Sequence, residues 1–289
     1  MAERTRLAVD GLIARLGGSW TADKLYYVKR YASGFTKAMT PHRDAGSWDS
    51  LVYIDLLAGP GIDMERRSGR EFPGSPLIAL QTTPPFDRII LGDRNRENVK
   101  ALRQRIPSEQ THRVDLERAD CHERATAVVQ ALSSRALGLA FVDPEGFEVR
   151  FELFQTLSRR SIDIIFLFPS GIGITRNERL FAQSSSVPAI EGMWGNSAWR
   201  ELPMMKAYAG KTLTEADVER LTESYAEAFS KRVATLGYRY YDRVGPLRND
   251  QGAPMYHLLF FSKAPAGLSI WRGIGQIEPD GQRRLKGLF

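Results

Sequence analysis

The chain has a single cysteine, Cys121, so no disulfide can close within it. Its apolar residues never run on toward the roughly 18 in a row that a membrane-spanning helix needs. The N-terminal stretch MAERTRLAVDGLIARLGGSW carries a charge every few residues and holds no secretory apolar core. Together these absences predict a cytoplasmic protein without a membrane partner. Four histidines, His42, His112, His122 and His257, show no metal-ligand spacing, so no metal is expected and packing or polar roles are. A Gly-x-Ser-x-Gly elbow, a phosphate-loop lysine motif, internal repeats and low-complexity linkers are missing as well.

What is present is an ordinary globular composition with a basic tilt. The 289 residues are 43% apolar and 26% charged, enough for one large core with a smaller subdomain. The net charge of +6 suits an anionic partner such as nucleic acid without establishing one. Residues 1–48 read as an N-terminal helical segment, since LAVDGLIARL and KLYYVKRYASGFTKAM space apolar residues by three and four. From Leu51, five short apolar runs (LVYIDLL, RIILGD, RVDLERAD, LGLAFVD and IDIIFLF) alternate with helical stretches, which predicts a doubly wound, mostly parallel α/β sheet over residues 49–170. Residues 171–212 break the alternation and are expected to form an insertion, a target-recognition or partner subdomain. Residues 213–289 return to the core as a last helix, the strands YRYYDRVGPL and PMYHLLFFSKA, and a basic tail.

Five parallel strands followed by an antiparallel hairpin resemble the seven-stranded, Rossmann-like fold of class I S-adenosylmethionine (SAM)-dependent methyltransferases. Within it, Asp55-Leu56-Leu57-Ala58-Gly59-Pro60-Gly61 resembles the first methyltransferase motif, Asp/Glu-x-x-x-Gly-x-Gly. The resemblance implies a SAM cofactor whose methionine half is held by Asp55, Ala58, Gly59 and Gly61, with Lys24 closing over that end. It implies that Asp93 meets the ribose hydroxyls and that Asp120 and Cys121 meet the adenine. The alternative for the glycine turn is an ordinary strand-to-helix reversal with a capping Asp, against which stand Asp93, Asp120 and Asp143 at three further strand ends. The helix follows late, after IDMERRSGREFPG, whose Arg66, Arg67 and Arg70 either contact a substrate phosphate or are solvated.

Asp143-Pro144-Glu145-Gly146-Phe147 resembles the Asn/Asp/Ser-Pro-Pro-Tyr/Phe motif of enzymes that methylate exocyclic amino groups of bases. Asp143, Pro144 and Phe147 would then be catalytic, although the second proline is replaced and the aromatic stands one place late. A turn shaped by Pro144 and Gly146 is the alternative. Arg176 and Trp194 are candidate substrate contacts, the tryptophan either stacking a base or packing in the core.

The order KLYYVKRYASGF, YIDLLAGPG, GSPLIAL, FVDPEGF, GITRNERL, MWGNSAW and YHLLFFSKA resembles the three-Cys-motif partner family, TcmP, over roughly residues 20–275. The resemblance implies a class I methyltransferase-like protein with a companion carrying the three cysteines, and it accounts for the late helix. The family commonly has an aromatic where this chain has Glu145. Three functions stand from this reading: a methyltransferase acting on a nucleic acid or nucleotide, a SAM-binding partner module without its own transfer, and a nicotinamide-dependent oxidoreductase. The terminal hairpin argues against the last.

Overall fold

The first residues depart from the helical expectation. In this computed structural model, which describes residues 4–171, 187–202, 206 and 213–275, β1 (Thr5–Leu7) and β2 (Ile13–Gly17) form an antiparallel hairpin. Asp10 and Gly11 make its turn: Gly11 has φ +77°, and the Asp10 carboxylate accepts from the Leu12 amide at 3.0 Å. In β2, buried Ala14 and Leu16 alternate with more exposed neighbours. That period of two outweighs the three-and-four spacing. Helix α1 (Trp20–Asp44) follows, with Tyr27, Tyr31 and Phe35 spaced four apart on its buried face.

The chain then enters the main sheet at β3 (Ser50–Asp55). The stretch IDMERRSGREFPG that delays the next helix folds as β4 (Ile62–Glu65) and β5 (Glu71–Pro73), an antiparallel pair. Because β2 lies parallel to β4, a four-stranded sheet of order β1-β2-β4-β5 results, with Arg15 directly opposite Asp63. Helix α2 (Ser75–Leu80) has Pro76 in its first turn, where a missing N–H costs nothing. Next come β6 (Arg88–Gly92), α3 (Arg96–Arg105), β7 (Val114–Glu117), α4 (Cys121–Ala131), β8 (Ala136–Val142), α5 (Phe151–Leu157) and β9 (Ser161–Phe168). Of the segment 171–212, the described part holds α6 (Val187–Trp194) and a short 3-10 turn at Ala198–Glu201. Helix α7 (Glu215–Ala234), opened by a capping box between Thr214 and Asp217, leads into β10 (Tyr240–Arg248) and β11 (Pro254–Ser262).

The main sheet has the order β10-β11-β9-β8-β3-β6-β7, its five central-to-edge strands parallel and the β10–β11 hairpin antiparallel to β9. Helices cover both faces: α4, α5, α6 and α7 over one apolar cluster, α1 and α2 over the other. All of β8 and all of β11 is buried, as two covered faces require.

One element was not anticipated. After the hairpin, α8 (Pro265–Gly275) returns over the α1 face, and Trp271 stacks on Phe260 with ring centroids 4.9 Å apart and planes 9° from parallel. Its apolar Leu268, Trp271 and Ile274 recur every three residues, a spacing that the reading of this segment as a basic tail passed over. Trp271→Ala is expected to cost about 3–5 kcal/mol in urea denaturation with an unchanged m-value, because the ring fills the gap between α1 and β11.

Candidate functional site

Strand β3 has β6 on one side and β8 on the other, so the sheet reverses its winding at β3. Open α/β sheets place their crevice outside the carboxyl ends of such strands. Here those ends carry Asp55, Asp93 and Asp143.

Asp55 lies beneath the glycine turn, fully buried, accepting from Ser75 Oγ at 2.6 Å and from the Leu57 amide at 3.2 Å. It shapes the turn from below. Burial pushes its carboxyl up to about 7 and the charge of Asp143 adds to that, against the Ser75 hydrogen bond. Gly59 adopts φ +63°, and its amide donates to Asp93 Oδ2 at 2.9 Å. Gly61, at φ +95°, faces α3, where an added Cβ would come within 2.9 Å of Leu102. Ala58 is buried and donates its amide to the Gly92 carbonyl. Asp93 also accepts from the Asn95 amide at 2.7 Å and from Asn98 Nδ2 at 3.1 Å, tying the turn to the start of α3.

Beside the turn is a cavity of about 180 Å³, walled by Leu56, Leu57, Gly59, Asp93, Asp120 and Cys121. Asp120 caps α4 through the His122 amide, and Cys121 is buried, its thiol pushed up to about 12 first by burial and then by Asp120. A second cavity, of about 720 Å³, opens between the small sheet and the β10–β11 turn. Trp20 and Tyr256 stand together on its wall with centroids 5.6 Å apart. Arg15, Asp143, Arg4 and Glu145 belong to the walls of both cavities.

Where the cavities border, two cations and two carboxylates interlock. Asp143 Oδ2 accepts from Lys24 Nζ at 2.6 Å and from Arg15 Nη2 at 2.5 Å. Asp63 takes Arg15 Nε at 2.9 Å and Nη2 at 3.3 Å, with Lys24 Nζ 3.5 Å away. Burial alone would raise both carboxyls, but Arg15 and Lys24 outweigh it, taking Asp63 down to about 2 and Asp143 below the usual carboxylate range.

Of the expected residues, the fold therefore gathers Gly59, Asp93, Asp120, Cys121 and Asp143 around one cavity. Lys24 and Pro144 line the other. Phe147 packs instead against the apolar cluster beneath α4 and α5. Trp194 is a core residue: its indole donates to Tyr225 Oη at 2.6 Å, and Trp199 is buried in the same cluster. The base-stacking alternative for Trp194 is thus replaced by the packing one. Arg176 lies outside the described residues. His257 is fully buried, with Ser170 Oγ 2.6 Å from Nδ1 and Glu223 Oε1 3.0 Å from Nε2. Ser170 is equally buried, so this chain of groups staples β9, β11 and α7 together. Arg15 and Asp63 escaped the sequence reading. The Asp10-Gly11 pair signals the β1–β2 hairpin, and the pairing of β2 with β4 then sets Arg15 against Asp63.

No protein-family model matches the chain, and no curated protein matches it in sequence. Solved structures do share its shape. Protein LPL1258 from Legionella pneumophila str. Philadelphia 1 superposes with a TM-score of 0.50 at 13% identity, covering 91% of this chain and 94% of that one. Trm1 from Pyrococcus horikoshii, in complex with S-adenosyl-L-methionine, gives 0.46 at 10% identity over 92% of this chain and 62% of its own. The N-terminal domain of EvdMO1 with SAH bound gives 0.39 at 14%, covering 82% and 81%. The fold is a Rossmann-like α/β fold whose parallel strands end in an antiparallel hairpin. At such identities the likeness concerns the fold.

The buried carboxyls make stability depend on pH. A folded-state value near 7 for Asp55 lies above its unfolded value of 3.8, so the folded chain holds that proton more tightly. The stability this proton supplies is full below the unfolded value and is lost as pH rises through about 7. In Asp55→Asn that loss disappears. Urea melts at several pH values between 4.5 and 8 are expected to show the variant gaining on the wild type as pH rises.

Proposed function

We propose that this protein is a SAM-dependent methyltransferase, with the cofactor's adenosine in the smaller cavity and the methyl acceptor in the larger. The observation that carries the reading is the meeting of the two cavities at Asp143, above a glycine turn held by Asp93. The residues present fit such a cofactor. A carboxylate offers about four acceptor positions. Protein donors take three of those on Asp93, two at Oδ2 and one at Oδ1. Asn98 Oδ1, at the same cavity, is buried with no hydrogen-bond partner. Asp93 Oδ1 and Asn98 Oδ1 together offer two acceptors to the two hydroxyls of a ribose. Leu56, Leu57 and Cys121 supply apolar surface for a purine.

The cofactor supplies an activated methyl group, so the protein's share is to bind, align and exclude water. Asp143 is held ionised by Arg15 and Lys24 and is the acceptor that orients an incoming amino group. Trp20 and Tyr256 present aromatic surface to a planar ring, and Arg66 and Arg67 stand at the same cavity for a phosphate. A nitrogenous base of a nucleotide or nucleic acid has this chemistry. The order of motifs shared with TcmP supports a three-Cys-motif companion, and pull-down with that companion tests it.

The deciding experiment is calorimetric titration with SAM, S-adenosylhomocysteine and NAD, then transfer of labelled methyl groups to nucleic-acid substrates. Micromolar binding of the first two, with none of NAD, is expected. Binding without transfer to any acceptor would favour the partner-module reading, and binding of NAD instead would overturn both.

A further inference from the structure

Arg15 reaches the border of the cavities from the small sheet. Its strand register sets it opposite Asp63, which takes Nε and Nη2, while Asp143 takes Nη2 again. Among the described residues, Nη1 has no hydrogen-bond partner. A guanidinium pinned on two of its three nitrogens is fixed in direction, with the remaining donors preset for a planar acceptor. The side chain is 18% exposed. Its Nε lies 3.8 Å from where a Cβ on Gly59 would stand.

We infer that Arg15 is the receptor for the α-carboxylate at the amino-acid end of the cofactor, carried to the site by the β1–β2 hairpin. This rests on the SAM reading above. The argument begins with size. At about 180 Å³ the smaller cavity falls below the roughly 300 Å³ at which small-ligand pockets begin, so a nucleoside bearing an amino acid has to extend past it. It leaves across the border that Arg15 and Asp143 form, where Arg15 supplies a fixed cation for the carboxylate. The other cations fit less well. Arg4 is 74% exposed and paired with Glu145, and Arg94 is exposed on the surface. Lys24 lines the larger cavity and spends its ammonium on Asp143 and Asp63.

The test compares S-adenosylhomocysteine with 5′-methylthioadenosine, the same nucleoside without the amino-acid end, by calorimetry on wild type, Arg15→Gln and Arg15→Lys. In Arg15→Gln the first ligand is expected to weaken on the order of 30-fold while the second stays within about threefold. Arg15→Lys, which keeps the charge beside Asp63 and Asp143, is expected to fall between and serves if the Gln variant melts early. Unchanged binding of S-adenosylhomocysteine would overturn the inference and leave the cofactor reading standing. So would equal loss of both ligands, which marks a folding role. Failure of the wild type to bind either ligand would overturn the cofactor reading and the inference with it.

Discussion

Asp143→Ala is expected to abolish methyl transfer, to leave the affinity for S-adenosylhomocysteine within a few fold of wild type, and to cost roughly 3–5 kcal/mol of stability. The stability loss follows from what the carboxylate touches. At 4% exposure it accepts from Lys24 and Arg15 together, and without it both cations face Asp63 alone. Breaking a buried pair leaves an uncompensated charge, which is the costly case. Affinity survives because Asp63 still grips Arg15 through two nitrogens and because Asp93, not Asp143, ties the glycine turn. Transfer fails because, among the described residues, no other carboxylate stands in the walls of both cavities except Glu145, which is half exposed and spent on Arg4. Asp143→Asn separates the effects: it keeps the shape and one acceptor but surrenders the charge. Assays run below the melting point of each variant check this. Equal loss of transfer and affinity would make Asp143 a binding or folding residue.

The core of the fold was legible because both of its signals are local. Near-continuous apolar runs such as LGLAFV and IDIIFLF can only be strands covered on both faces, and Asp-x-x-x-Gly-x-Gly marks where the first one turns. The acidic strand ends were legible for the same reason, and Gly59, Asp93, Asp120, Cys121 and Asp143 meet at one cavity. The small sheet was not. Its strands are three to five residues long, and β2 finds its partner β4 far along the chain, after α1 and β3. So short a strand leaves almost no periodicity to read, and its pairing is decided by tertiary contact. The N-terminal stretch accordingly scored as helix, and Arg15 with Asp63 stayed hidden. Trp194 stayed open on different grounds: a tryptophan in an irregular segment reads alike whether it stacks a ligand or fills a core, and the Tyr225 partner separates the two.

Asp93→Ala is expected to weaken S-adenosylhomocysteine by at least about 100-fold, the largest effect on binding of any single change at the site. Two losses combine. The first is the charged acceptor for a ribose hydroxyl, worth roughly 1.5–3 kcal/mol as a hydrogen bond to an ionised group. The second is the shape of the pocket. Asp93 holds the Gly59 amide, the Asn95 amide and Asn98 Nδ2, so truncation leaves three donors without their partner and frees the turn that faces the ligand. Asn98, at the same cavity, then loses the hydrogen bond that fixes its side chain. Asp93→Asn should recover little, because its amide nitrogen would point a donor at groups that are themselves donors. Because both terms act on the nucleoside, 5′-methylthioadenosine must weaken in parallel with S-adenosylhomocysteine, opposite to the split expected at Arg15. A calorimetric series on both ligands reads this directly. If Asp93→Ala binds both as the wild type does, the nucleoside does not lie against β6, and the smaller cavity is not the cofactor's.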